Sequence, residues 1–187
     1  MGERFTSFED ARRHFLLRTE PLESFYAALP DEPAATVDRW IAEPPEPVKE
    51  AAQGLQESFA ALSWIAAVPP HFLHVTLRPG IDWSSIAPFE AEFGPVCCFP
   101  VAVVAEVRAP AVEKLVGDPF FLPHLSLGYV REPHDPGPLR RALASWRGTA
   151  LGTATIREVS LVRIPVAKSR LLEPWSVLRT VRLEPAR

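Results

Sequence analysis

Residues 74–77 read His-Val-Thr-Leu and residues 124–127 read His-Leu-Ser-Leu, one His-apolar-hydroxyl-apolar pattern written twice, 50 residues apart. Such alternation predicts a half-buried strand, because successive side chains of an extended chain leave opposite faces. His74 and Thr76 then share one face, with Leu73, Val75 and Leu77 on the other; His124 and Ser126 likewise oppose Leu125 and Leu127. Each copy therefore asks for a sheet with an apolar core on one side and an imidazole beside a hydroxyl on the other. One copy alone can be a strand whose polar groups bond locally. Two copies in 187 residues ask for a fold that holds two such strands.

With 187 residues and 47% apolar content, the chain can build one ordinary core, read as a single domain over residues 1–187, or two small lobes sharing a cleft. Pro21, Pro30, Pro33, Pro44, Pro45 and Pro47 interrupt the first 47 residues, which show no clear opening strand. Within them, residues 31–42 read as a helix with an acidic cap and Pro33 in its first turn. Residues 48–62 are the clearest helix, with Val48, Ala52, Leu55, Phe59 and Leu62 on one apolar face. Residues 82–93 read as a turn and a short helix, and 96–107 as one or two strands with Pro100 at an edge or bend. A helix over 138–146 and strands over 153–166 and 175–183 complete the order. The class is α+β: two largely antiparallel sheets, helices outside, and a central cleft carrying the two His-x-Thr/Ser units.

Charge and cysteine usage exclude several functions. The net charge of −3 argues against a protein that coats long duplex nucleic acid by neutralising phosphates. The charge is uneven: 10 basic and 20 acidic side chains precede residue 139, against 10 basic and 3 acidic after it. A basic C-terminal segment suits an anionic ligand and equally suits a solvated surface. Cys97 and Cys98 are adjacent in an apolar run, which fits buried thiols better than a disulfide or zinc site. No metal-binding motif is present, and no cofactor is expected. The first 18 residues mix charges with apolar residues and no later run reaches 18 apolar residues, so a cytoplasmic protein without a membrane segment is expected.

The two units and their flanks, 68–77 (Val-Pro-Pro-His-Phe-Leu-His-Val-Thr-Leu) and 121–129 (Phe-Leu-Pro-His-Leu-Ser-Leu-Gly-Tyr), resemble the 2H phosphoesterase superfamily. The resemblance is to its 2′-5′ RNA ligase-like and cyclic phosphodiesterase branch and spans about residues 48–183. It extends to Ser160-Leu161-Val162-Arg163 and to Trp175 before a closing strand. It implies two lobes related by approximate two-fold symmetry, each giving one motif to a shared cleft. It further implies hydrolysis of a 2′,3′-cyclic phosphate or 2′-5′ phosphodiester at an RNA terminus or small nucleotide, by a monomer.

In that reading His124 is the base and His74 the acid, and Thr76 and Ser126 donate to the phosphate oxygens. Two imidazoles suit the chemistry, since their ordinary pKa lies near neutrality. Arg78, Lys168 and Arg170 are candidate contacts to the anion. Phe120, Phe121 and Tyr129 are candidate stacking partners for a base. His71 falls on the opposite strand face from His74, and His14 and His134 have no assigned chemistry. Two other classes stay open: a 2H module that binds a nucleotide or phosphate without turnover, and an interaction protein whose His units are ordinary strand residues.

Overall fold

Nine strands and four helices make up the computed structural model, which describes residues 5–184 apart from 60, 117, 119 and 147. The longest strand shows its reason most plainly. In β4 (Phe89–Phe99), Phe89, Ala91 and Phe93 are buried and Glu90 and Glu92 exposed, a period of two that seats one face on the core. It turns at Pro100-Val101 into β5 (Ala102–Arg108), whose first six residues are all buried because both its faces are covered. Residues 96–107 are thus two strands of one hairpin, with Pro100 at the bend.

Three other expectations change. Residues 31–42 hold no helix: Thr36–Ala42 is strand β1, where Thr36, Val37, Trp40 and Ile41 favour extended backbone and two ladders supply tertiary pairing. This strand is the opening element that the Pro-rich region seemed to lack. Residues 82–93 contain one short turn, Trp83–Ser85, capped by the Asp82 carboxylate, before β4 begins. Residues 153–166 are two strands, β7 (Gly152–Ile156) and β8 (Glu158–Pro165), broken at Arg157.

The helices expected over 48–62 and 138–146 come close to their places, whereas those over residues 8–17 and 110–116 were not read from the sequence. α2 (Glu46–Glu57) starts behind Pro45 with Pro47 in its first turn, and ends five residues before Leu62. Phe59 and Leu62 still reach the core from the turn that follows. α1 (Phe8–Leu17) is capped by the Ser7 hydroxyl, carries Glu9 and Asp10 in its first turn, and lays Phe8, Ala11 and Phe15 against β4. α3 spans Pro110–Val116, and α4 (Pro136–Trp146) buries Leu139, Leu143 and Trp146.

The remaining strands are β2 (Ile65–Ala67), β3 (Val75–Leu77), β6 (His124–Val130) and β9 (Ser176–Arg182). All pairs are antiparallel and run in one continuous path, β7-β4-β5-β6-β3-β1-β8-β9, with β2 added to β6. The two expected sheets are therefore one, joined where β3 meets β6 at the pair Val75 and Leu125. This sheet must curl. β7 and β8 stand six places apart, roughly 29 Å if flat, at about 4.8 Å per strand. Arg157 alone links them, and one residue reaches only about 3.5 Å. Val75 and Leu77 of β3 accordingly share an apolar enclosure with Phe89 and Phe93 of β4 and Ile156 of β7, with a residual void of about 10 Å³. Among the described residues no helix is long and apolar enough to cross a membrane.

Candidate active site

The junction of β3 and β6 is also where the two sequence motifs lie. Continuing the antiparallel register one residue each way from Val75 and Leu125 sets His74 opposite Ser126 and Thr76 opposite His124. Cross-strand neighbours of this kind have Cβ atoms about 4.5–5.5 Å apart and share a face. The apolar partners Val75, Leu77, Leu125 and Leu127 are buried, whereas His74, Thr76, His124 and Ser126 are half-buried. The alternation read from the sequence is the one the structure has.

Both imidazoles are held in the same way. His74 Nδ1 donates to the carbonyl of Phe72 at 2.7 Å, and His124 Nδ1 donates to the carbonyl of Leu122 at 2.8 Å. A carbonyl can only accept, so each Nδ1 carries a proton, and each Nε2 is left to take or give one. Each ring also meets an aromatic nearly edge to face: His74 against Trp175 at 5.2 Å and 81°, His124 against Phe99 at 5.2 Å and 90°. Burial lowers the pKa of both, partly countered by the carbonyl bonds. At His74 the charge of His124 adds to the lowering, and Glu43, just past the end of β1, raises it. Across the pair Val75 and Leu125 the two imidazoles are diagonal neighbours on one face. Glu43 also pairs with Lys49 at 3.3 Å.

A bulge in β6 shapes the next turn of the site. Val104 pairs with Ser126 and Val103 with Gly128, so Leu127 is an extra residue on that strand. The extra residue shifts the alternation and brings Tyr129 to the side of Ser126. Tyr129 does not offer a free ring face: it is 7% exposed and stacked on Phe25 at 4.1 Å. Burial pushes the Tyr129 hydroxyl pKa up, so it stays protonated near neutrality.

Next to Thr76 and His124 opens a cleft of about 420 Å³, walled by Phe5, Phe99, Val101, Phe120, Phe121 and Leu122, with Glu23 at its rim. Phe120 and Phe121, candidate stacking residues in the sequence, are thus part of its lining. Phe5, Phe99 and Glu23 are additions. Phe99 precedes the hairpin bend at Pro100, a position visible in sequence, but nothing marked Phe5 or Glu23 as neighbours of residues 76 and 124.

The expected cations are mostly engaged elsewhere. Arg78 follows Thr76 on the same strand face and pairs with Asp118 at 3.5 Å, tying the end of β3 to the segment before β6. Lys168 pairs with Asp31 at 2.9 Å and Arg170 with Glu173 at 2.8 Å; neither lines the cleft. His71 lies in a short turn (Pro70–Phe72), not in a strand, and bonds to the Leu172 carbonyl at 3.1 Å. His14 packs by Phe5 and His134 on Trp64. Cys97 and Cys98 are buried, and burial pushes the Cys97 thiol up to about 11. Among the described residues no three His, Cys, Asp or Glu side chains gather in a metal-sized cluster.

No family model and no curated protein matches the chain in sequence. Solved structures match it in fold. TT0787 of Thermus thermophilus superposes with a TM-score of 0.55 at 19% identity, over 80% of this chain and 99% of that one. Escherichia coli LigT, crystallised as a complex with NADP+, gives 0.52 at 13% identity, over 79% and 97%. The chain shares their fold. Both neighbours are covered almost whole, so the likeness is to their complete architecture and not to one shared supersecondary unit.

Proposed function

We propose that the chain is a metal-independent phosphodiesterase that opens a 2′,3′-cyclic phosphate or cleaves a 2′-5′ phosphodiester of RNA or a nucleotide, by two-histidine acid–base catalysis. The observation that carries this reading is the matched pair of imidazoles. Each is fixed through Nδ1 to a carbonyl two residues back, beside the other strand's hydroxyl across one register pair. The shared fold with LigT, which binds the nucleotide NADP+ in its crystal structure, agrees with a nucleotide ligand.

The chemistry needs two proton transfers. His124 Nε2 takes a proton from water as its oxygen bonds to phosphorus. His74 Nε2 gives a proton to the sugar oxygen as its bond to phosphorus breaks, so the pair exchanges protonation states over one turnover. The allocation of His74 as acid and His124 as base follows the family resemblance: Glu43 raises the His74 pKa, while the charge of His124, the larger influence, lowers it. Thr76 and Ser126 donate to the non-bridging oxygens.

The test is hydrolysis of four substrate groups: RNA ends with cyclic phosphate, nucleoside cyclic phosphates, 2′-5′-linked oligonucleotides and small metabolite phosphodiesters. His74→Ala and His124→Ala should each lower turnover about 10²- to 10⁴-fold while leaving the fold intact by circular dichroism. Equal activity in the wild type and the double variant refutes the mechanism. Phosphate or nucleotide binding without any product assigns a binding module instead.

A further inference from the structure

The proposed reaction consumes the phosphate, and leaves open what carries it. The cleft beside His124 and Thr76 answers part of that. Of the ten described residues lining it, seven are apolar, four of them phenylalanines, and none of the ten is Lys or Arg. Its volume of about 420 Å³ exceeds that of one nucleobase and falls within the range of small-ligand pockets. Phe120 is half exposed at the mouth, and Phe5 and Phe99 lie stacked on each other, 5.9 Å apart, in the wall.

The one carboxylate in the lining is held in place. Arg18, itself 6% exposed, binds Glu23 Oε1 at 3.0 Å and the carbonyls of Glu20 and Pro21, and the Glu23 amide donates to the Pro100 carbonyl. A carboxylate accepts several hydrogen bonds, so Glu23 keeps capacity for an N–H donor entering the cleft.

Long RNA finds the opposite of what it needs here. Each further phosphate brings a negative charge that polynucleotide binders meet with Lys and Arg. The basic side chains read from the sequence as candidate anion contacts pair with Asp118, Asp31 and Glu173, and the one carboxylate among the cleft's described lining residues is paired with Arg18.

We infer that this cleft is a subsite for one planar, nucleobase-sized group with an N–H donor, so that the chain acts on mononucleotide-like cyclic phosphodiesters in preference to polynucleotide ends. The inference rests on the phosphodiesterase reading and adds substrate class to it. Stacking on such aromatics changes binding about ten- to hundredfold per base.

The experiment compares three substrates: nucleoside 2′,3′-cyclic monophosphates, the base-free methyl riboside 2′,3′-cyclic phosphate, and a decanucleotide ending in the same cyclic phosphate. The wild type should prefer the nucleoside over the base-free compound, and over the decanucleotide, by about tenfold or more in kcat/KM. Phe120→Ala should lower the first ratio about tenfold, through KM, and Phe120→Trp should keep it. Equal rates with and without a base, or a preferred decanucleotide, overturn the inference while leaving the phosphodiesterase reading standing. If none of the three turns over, that reading fails, and calorimetry decides the subsite. A nucleoside 3′-monophosphate binding tenfold tighter than inorganic phosphate supports it, and equal affinity overturns it.

Discussion

Gly128 sits at the β6 bulge, where β2 and β5 both pair with it and where the strand turns Tyr129 toward Ser126. A Cβ there would stand 2.7 Å from Ile65 Cγ2, 3.2 Å from the Phe59 ring and 3.3 Å from the Ala66 carbonyl oxygen. None of these can swing clear. The Ile65 methyl branches directly from its own Cβ, Phe59 is 3% exposed with its ring against Trp146 at 4.9 Å, and the carbonyl belongs to the ladder. Overpacking of this kind costs about 1–3 kcal/mol. For a domain of this length that lowers Tm by about 2–12 °C. Gly128→Ala should therefore show this loss in urea and thermal unfolding. A double-mutant cycle isolates the cause. Ile65→Ala alone costs about 2–5 kcal/mol through its cavity, but in the Gly128→Ala background it also removes the colliding methyl. The two losses should fall short of additivity by about 1 kcal/mol or more. A Gly128→Ala protein that melts with the wild type, or strictly additive losses, would refute the packing of β2 across the bulge.

Three other outcomes follow from the site. Thr76→Val and Ser126→Ala should each lower kcat about a hundredfold, the effect of removing one preorganised donor, while Thr76→Ser keeps most activity; a uniform loss across Thr76→Val and Thr76→Ser would point to packing. Burial depresses both imidazoles from an ordinary value of 6.5, so the free enzyme holds one neutral and one charged ring only on the acid side of that value. The kcat/KM profile should peak below pH 6.5 and fall as both rings lose their protons, with the kcat profile displaced upward because a bound anion favours the charged form; a kcat/KM still rising at pH 8 contradicts this. Because the two imidazoles perform both proton transfers in this scheme, prolonged dialysis against excess chelator should leave turnover unchanged, and abolition restored by a divalent cation would overturn it.

How much of this was legible in the sequence differs by the range of the interaction. The motif strands were readable because alternation is local: His74 and Thr76 share a face whatever lies around them. The β4–β5 hairpin was readable for the same reason, with Pro100 marking its bend. β1 was not, since Asp31 and Pro33 mimic a helix start, and its two ladders, to β3 and β8, come from residues 75–77 and 160–165. Curling of the sheet was equally hidden, because a break at Arg157 in an otherwise continuous β-branched run gives no hint that its two sides belong to strands six places apart. Among the site residues, the His and hydroxyl pairs were local signals; Phe5, Glu23 and Glu43 reach the junction only through tertiary folding. Lys168 and Arg170 drew attention as charges, and charges are satisfied by whichever partner is nearest, here Asp31 and Glu173.

The near-equivalence of the two half-sites has a consequence for what can determine the reaction. Around Val75 and Leu125, each half supplies the same imidazole, the same carbonyl bond and a facing hydroxyl, so the core of the site has no built-in direction. Direction must come from what flanks it. On the His74 side stand Trp175 and Glu43, an aromatic edge and a carboxylate that favours the cation. On the His124 side stand Phe99 and the phenylalanine-walled cleft. An anion centred between the rings can lodge an apolar group on only one of these sides, the side of His124. In the proposed reaction that would set the group opposite His74 and give the substrate one orientation in a site whose motifs accept two. Under the proposed function the motifs carry the chemistry, and residues outside them set its direction.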